Sequence, residues 1–358
     1  MIKNYVEPVI PMILVTFLCS LIIMPFIRRI ANHIGAIDVP KDNRRVHTKP
    51  TPKLGGLGIF FGFLLGYILF APEDTQMISI LIGSFIIIVT GICDDIKPLP
   101  PLYKFIPQIL ATLVVVFYGN ILLNNIDAFG FRIDFGLFAY PLTIFFFLGI
   151  INAINLIDGL DGLSGGISSI YFLTIGIIAA ITKNMGGLEV TIAFLMLGST
   201  LGFLFHNFYP AKIFAGDTGS MFMGFMISVI ALLGFKNVTL TSLIVPLLVL
   251  AIPIMDTFFA ILRRIIKREP ISKPDKLHLH HQLLSMGFGH RNTVLIIYFI
   301  DILFAIASIL YVLKDAKIGI VIYVILFALV VWVITRTTII SNKKIIKDNL
   351  LKKRKKLN

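Results

Sequence analysis

The sequence predicts an all-α, polytopic integral membrane protein with about eleven transmembrane helices, N-terminus outside and C-terminus cytoplasmic. Three observations carry that prediction. Hydrophobic residues make up 57% of the 358 residues and charged residues only 14%, where a soluble domain holds about 25% charged. Apolar stretches long enough to cross a bilayer recur from end to end. The basic residues fall mostly on one side of those stretches. This composition excludes an ordinary soluble enzyme, a disordered chain and a nucleic-acid partner, and the net charge of +13 reads as topology instead.

The spans fall at approximately 9–28, 55–71, 77–93, 105–119, 137–155, 164–182, 188–206, 219–235, 239–261, 293–313 and 318–340. The first lacks a basic leader and a small-residue cleavage site and ends in Arg28-Arg29, so it reads as a retained span. An odd number of spans puts the termini on opposite sides. The loops on the side of the C-terminal tail, with that tail, then hold 26 of the 32 basic residues. Lys41, Arg44, Arg45, Lys49, Lys273 and Lys276 are among them, whereas Lys3, Arg132, Lys183, Lys236, Lys314 and Lys317 face the other way. Positive-inside bias makes the richer side cytoplasmic. The longest outer loop alternates around Gly130, from Ile126 to Phe135, as a small β-hairpin does. Residues 1–342 read as one transmembrane catalytic domain and 343–358 as a basic cytoplasmic tail on anionic lipid. Cys19 and Cys93 sit in apolar runs and read as small buried hydrophobes.

Charge is costly in a lipid-bounded protein, so its position is informative. Asp94, Asp95, Asp158, Asp161 and Asp217 all lie at cytoplasmic ends of spans. All seven histidines, His33, His47, His206, His278, His280, His281 and His290, are cytoplasmic by the same topology. An acidic, imidazole-rich site rimmed by Lys and Arg suits a phosphate-rich substrate with a hard divalent cation.

Five motifs make up that face. Asp94-Asp95-Ile96-Lys97 ends a span. Two adjacent carboxylates there read either as a base with metal or phosphate contacts, or as a solvated helix-end turn. Asn152, Asn155 and Asp158 recur three apart, near one helix face, and Asp158-Gly159-Leu160-Asp161-Gly162 follows. The asparagines either serve a site or hydrogen-bond a neighbouring helix. Gly216-Asp217-Thr218-Gly219-Ser220 opens a helix, so Asp217 reads as a metal holder beside an anion-binding helix start, or as a simple cap. His278-Leu279-His280-His281 lies in the longest cytoplasmic loop, suited to donating hydrogen bonds to a pyrophosphate, or else merely solvated. Pro50-Thr51-Pro52-Lys53-Leu54-Gly55-Gly56 opens the second span, with Lys53 a phosphate contact or a topology charge. Asp256 lies two turns before Arg263 and Arg264, as in a structural ion pair, and Asp301 receives no role.

This ordered set resembles the polyprenyl-phosphate N-acetylhexosamine-1-phosphate transferase superfamily, glycosyltransferase family 4, over about residues 40 to 300. The His-Leu-His-His form and the eleven spans are similar to its GlcNAc-1-phosphate branch more than to its phospho-MurNAc-pentapeptide translocase branch. The resemblance implies that UDP-GlcNAc and undecaprenyl phosphate give undecaprenyl-pyrophosphoryl-GlcNAc and UMP, with Mg²⁺ or Mn²⁺. It implies a plasma-membrane enzyme working on the cytoplasmic face at the first membrane step of a cell-envelope polysaccharide, in a family often dimeric. By resemblance, Asp217 and Asn155 hold the metal, Asp94 deprotonates or positions the lipid phosphate and Asp95 supports it. Lys53, Lys97 and Lys104 hold phosphates, Asn152 binds substrate, Asp158 and Asp161 serve the nucleotide side, and His278, His280, His281 and Arg291 contact pyrophosphate or sugar. A transporter or flippase is the reading from another class, and it requires ionisable residues near the midplane.

Overall fold

The computed structural model describes residues 3–40, 49–128, 131–182, 187–234, 240–270, 277–313 and 316–336. The expectations for Lys41, Arg44, Arg45, His47, Lys183, Lys236, Lys273, Lys276, Lys314 and the tail at 343–358 lie outside these residues. The described chain is helical apart from two small antiparallel pairs. In order it runs α1 (Lys3–Ile34), β1 (Ile37–Asp38), β2 (Thr51–Pro52), α2 (Gly55–Phe70), α3 (Thr75–Ile96) and α4 (Pro101–Leu113). A π-helical turn (Val114–Tyr118), β3 (Asn125–Ala128), β4 (Phe131–Asp134) and α5 (Ala139–Ile157) follow. Then come α6 (Leu163–Thr182), α7 (Leu188–Asn207), α8 (Gly216–Gly234), α9 (Leu240–Val249) and α10 (Ala251–Ile266). Last are α11 (Leu279–Ser285), α12 (His290–Leu313) and α13 (Ala316–Arg336). Among the described residues, eight helices are long and apolar enough to cross a membrane, and α2 and Lys317–Val331 are shorter apolar ones. The hairpin expected about Gly130 is present as two paired strands, with Asn125 opposite Asp134 and Ala128 opposite Phe131.

α8 is the central pillar. Every residue from Thr218 to Gly234 is buried, so this helix faces protein on all sides. Phe222 meets Phe60 and Phe63 of α2 edge-on, with ring centroids 5.6 and 5.8 Å away, and Phe225 tilts against Phe147 of α5 at 5.7 Å. Lipid-facing apolar surface lies at the perimeter: Ile10, Leu14, Leu18, Ile22, Phe26, Ile30 and Ile34 recur every four residues along α1, and all are exposed. Such a stripe is stable only against an apolar solvent.

Two expectations are corrected. The span placed at 239–261 is broken at Leu250, between α9 and α10. Pro246 and Pro253 flank the break, and a proline ring removes a helix donor and crowds the preceding turn. Cys93 is exposed and Cys19 only partly buried, because the faces of α3 and α1 that carry them turn toward the perimeter.

Candidate active site

The site forms where helix ends meet. Asp94 and Asp95 occupy the last turn of α3, Lys104 the first turn of α4 and Asp217 the first turn of α8. Lys104 Nζ lies 2.9 Å from Asp94 Oδ2 and 2.5 Å from Asp217 Oδ2. The other Asp94 oxygen accepts from Leu99 N–H at 2.8 Å, which fixes the turn after α3. Asp95 is turned toward α8: it accepts from Asp217 N–H (3.0 Å), Thr218 N–H (3.1 Å) and Thr218 Oγ1 (2.7 Å). It thereby satisfies helix-start donors that have no partner within the helix. Lys53 Nζ is 3.9 Å from Asp95 Oδ1.

Small residues permit this convergence. A Cβ on Gly56 would stand 2.1 Å from Gly219 N, and one on Gly91 would stand 2.3 Å from Thr218 Cα. Backbone bonds stitch the Lys53 segment to the loop before α8: Gly55 N–H to Phe214 O (2.8 Å), Gly56 N–H to Ala215 O (3.0 Å) and Phe214 N–H to Pro52 O (2.8 Å). The Lys53 and Asp217 motifs are therefore one structural unit.

The asparagine motif divides. Asn155 donates to Ser220 Oγ at 2.8 Å and stands beside the Asp217 carboxylate. Asn152 donates to Gln108 Oε1 (2.9 Å), an interhelical tie between α5 and α4, and to Leu148 O (2.8 Å) within its own helix. Asp158, only partly buried, accepts from Ser164 Oγ at 2.5 Å. Desolvation pushes its carboxyl up to about 7, and Asp217, Asp95 and Asp161 add to the rise. Asp161 is buried and structural in its contacts. Its Oδ2 accepts from Ala211 N–H (2.9 Å), and its own N–H donates to His290 Nε2 (2.9 Å).

The histidine motif approaches the same loop. His278 Nδ1 is 2.8 Å from Asp256 Oδ2, and Leu279 N–H donates to Asp256 Oδ1 at 2.9 Å. This corrects the expected pairing of Asp256 with Arg263 and Arg264: the α10 face that carries Asp256 meets the start of α11 instead. Arg264 is buried, and its Nε has no hydrogen-bond partner. His280 lies under Gly159, where an added Cβ would be 2.5 Å from its Nε2. Burial holds the His280 imidazole down at about 3, with His281 adding to the depression, so the ring is neutral, and its buried Nδ1 has no hydrogen-bond partner. His281 packs against it at 4.3 Å between centroids. Lys97 and Arg291 are exposed, outside the carboxylate cluster. His206 hydrogen-bonds Leu21 O (3.1 Å) and joins α7 to α1, while His33 is exposed at the end of α1.

Oxygens of Asp94, Asp95 and Asp217 lie within 4.8 Å of one another. An all-oxygen, multiply anionic donor set fits a hard divalent cation, and the Lys104 ammonium already lies between two of its members. Sequence reasoning missed Thr218, Ser220, Gln108 and Asp256 as partners of Asp95, Asn155, Asn152 and His278. Only Ser220 and Thr218 carried a signal, since they flank Asp217 in its motif.

Residues 77–235 match the glycosyl transferase family 4 model, a segment that spans every carboxylate of the cluster. The chain is 44% identical, over 92% of its length and 92% of the relative's, to a probable undecaprenyl-phosphate N-acetylglucosaminyl 1-phosphate transferase of Bacillus subtilis (strain 168). It is 32% identical over 76% of its length to decaprenyl-phosphate N-acetylglucosaminephosphotransferase of Mycobacterium tuberculosis (strain ATCC 25618 / H37Rv), covering 74% of that protein. It is 31% identical over 83% of its length to undecaprenyl-phosphate alpha-N-acetylglucosaminyl 1-phosphate transferase of Haemophilus influenzae, covering 85% of it. With such similarity along nearly its whole length, the chain belongs to glycosyl transferase family 4.

Proposed function

We propose that the protein transfers GlcNAc 1-phosphate from UDP-GlcNAc to undecaprenyl phosphate, releasing UMP, at the cytoplasmic face of the plasma membrane. The observation that carries this reading is the carboxylate–lysine cluster. Four charged groups from three helix ends, up to 123 residues apart, converge within hydrogen-bond range. The 44% identical relative bears a name for the same transfer. The orientation rests on the one-sided basic residues. Eleven crossings are supported by counting α2, α13 and the broken α9–α10 pair with the eight long helices.

The lipid phosphate is already a nucleophile near neutral pH and mainly needs positioning and charge screening. Lys104 and Lys53 supply cationic contacts for phosphate at the mouth of the cluster. Asp94, held by Leu99 N–H and Lys104, is oriented to take a proton from, or align, the acceptor phosphate. Asp95 fixes the α8 start and so the place of Asp217. Asp217, with Asn155 beside it, and the neighbouring Asp94 and Asp95 would hold Mg²⁺ or Mn²⁺, which would offset charge on the donor diphosphate as UMP departs. The histidine motif and Asp158 lie on the donor side, where neutral His280 can only share hydrogen bonds.

The transporter reading loses one of its two candidate residues, because Asp256 is committed to the histidine motif. The test is a donor panel with purified enzyme and undecaprenyl phosphate: UDP-GlcNAc, UDP-GalNAc and UDP-MurNAc-pentapeptide, with UMP release measured. UMP release with UDP-GlcNAc and formation of the lipid product are expected. Turnover of the pentapeptide donor alone, or flux across proteoliposomes without transfer, overturns the proposal.

A further inference from the structure

We propose that Asp256 is a positioning residue for the transfer reaction, acting through His278, whose imidazole and following backbone N–H it clamps together. The inference rests on the reading that the histidine motif meets the donor substrate. Asp256 lies in the second turn of α10, on the buried face that also carries Ala260, Arg263 and Arg264. Its two oxygens are divided between two donors on another element: Oδ2 meets His278 Nδ1 at 2.8 Å, and Oδ1 accepts from Leu279 N–H at 2.9 Å. Asp256 is 6% exposed and His278 is 6% exposed, so water does not compete for either group.

The chemistry of that clamp is specific. A carboxylate accepts only, so His278 must carry its proton on Nδ1. Nε2 is then the ring nitrogen left for a ligand, as acceptor when the ring is neutral and donor when it is charged. The bond from Leu279 N–H pins the backbone at the same point, so the ring can neither flip nor swing away from the start of α11. The His278 ring is nearly parallel to that of His280, 5.8 Å between centroids at 5°. His280 abuts Gly159, which sits between Asp158 and Asp161 in the loop after α5. The orientation set by Asp256 therefore continues to the loop beside the carboxylate cluster. A residue 22 positions away in sequence from the nearest of the five motifs thus governs the tautomer and aim of one of them.

The test uses the purified full-length enzyme in lipid nanodiscs and compares D256N, D256A, H278A and D256A/H278A by melting temperature, kcat and KM for UDP-GlcNAc. The Asn side chain is isosteric, and it can still accept from Leu279 N–H. The amide NH₂ that then faces the ring can only donate, which imposes the opposite tautomer. We expect D256N to melt close to the parent, with kcat lowered at least about tenfold. The double variant should be no slower than H278A alone, because groups that act as one unit do not add. Parental kcat for D256N overturns the inference, and so do multiplicative losses in the double variant when H278A is itself impaired. A fully active H278A instead overturns the placing of the histidine motif at the donor, together with the inference built on it. The two failures are therefore distinguishable.

Discussion

Gly216 marks the point where backbone, carboxylate and helix start are most tightly fitted, and Gly216→Ala tests that fit. Its φ is +69°, where an alanine costs roughly 1–2 kcal/mol. An added Cβ would stand 2.2 Å from Asp95 Oδ2, the oxygen that accepts from both Thr218 N–H and Thr218 Oγ1. The carboxylate must retreat, and each buried donor left unpaired costs about 1–3 kcal/mol. Thr218 is fully buried, so water cannot take over. One lost bond plus the backbone strain comes to about 2–5 kcal/mol. The assay is thermal unfolding by scanning fluorimetry in detergent, with GlcNAc-1-phosphate transfer measured alongside. The control is Gly149→Ala, where an added Cβ meets nothing within 4 Å and alanine gains about 1 kcal/mol of helix propensity. G216A should melt well below the parent and lose transfer, because Asp217 follows directly, while G149A should hold or gain. Parental melting and activity in G216A would refute the reasoning about how Asp95 anchors α8.

Other perturbations separate roles within the site. Asp217→Ala should abolish metal-dependent transfer from radiolabelled UDP-GlcNAc by at least about a hundredfold, and full activity in membranes would sink the assignment. Asn152→Ala removes the tie to Gln108 and should lower the melting temperature by the worth of a buried hydrogen bond, about 1 kcal/mol. Its KM for UDP-GlcNAc should stay within twofold, and a rise of tenfold would return Asn152 to the substrate. For Asp158 the folded carboxyl, near 7, lies above its ordinary value of 3.8. The native state then binds more protons than the unfolded chain between those values, so stability falls as pH rises through that window and levels off above it. In metal-free buffer, the melting temperature of Asp158→Asn relative to parent should climb from pH 4 to 7 and then stay flat; a constant offset contradicts this.

Much of this was legible in the sequence because lipid makes charge expensive. Asp94, Asp95, Asp158, Asp161 and Asp217 stood out in a chain that is 14% charged, and the glycines beside Asp217 marked a helix start. The hairpin was legible from its alternation about Gly130. The break at Leu250 was not, since 239–261 is predominantly apolar and a hydropathy window does not weigh Pro246 and Pro253. Asp256 was misread because arginines at helical spacing are visible in one dimension, whereas its partner His278 is 22 residues away on another element. Nor could spacing reveal that Asn152 faces Gln108 while Asn155, one turn on, faces Ser220. That division depends on which helix lies opposite each residue.

Lys104 poses the last question, since an ammonium lies between the same carboxylates that would hold a divalent ion. Asp94, Asp95 and Asp217 set three negative charges against the two of Lys104 and Lys53, so the cluster carries one net negative charge as it stands. A donor diphosphate would meet repulsion there without a further cation, whereas a cation would meet repulsion from Lys104 without a phosphate to share. Two unit charges 4 Å apart interact by about 4 kcal/mol near a protein surface. Lys104→Met removes that opposition while leaving the carboxylates and nearly the same volume. The variant should therefore bind Mn²⁺ more tightly than the parent, by at least about tenfold, in a titration followed by electron paramagnetic resonance without nucleotide. Its transfer should nonetheless fall by at least about a hundredfold, because the charge proposed to hold acceptor phosphate beside Asp94 is gone. Tighter metal with slower transfer separates Lys104 from a merely structural counter-ion. Weaker Mn²⁺ binding in the variant would mean that Lys104 organises the carboxylates rather than competing for them, and the assignment of its ammonium to the acceptor phosphate would fall with it.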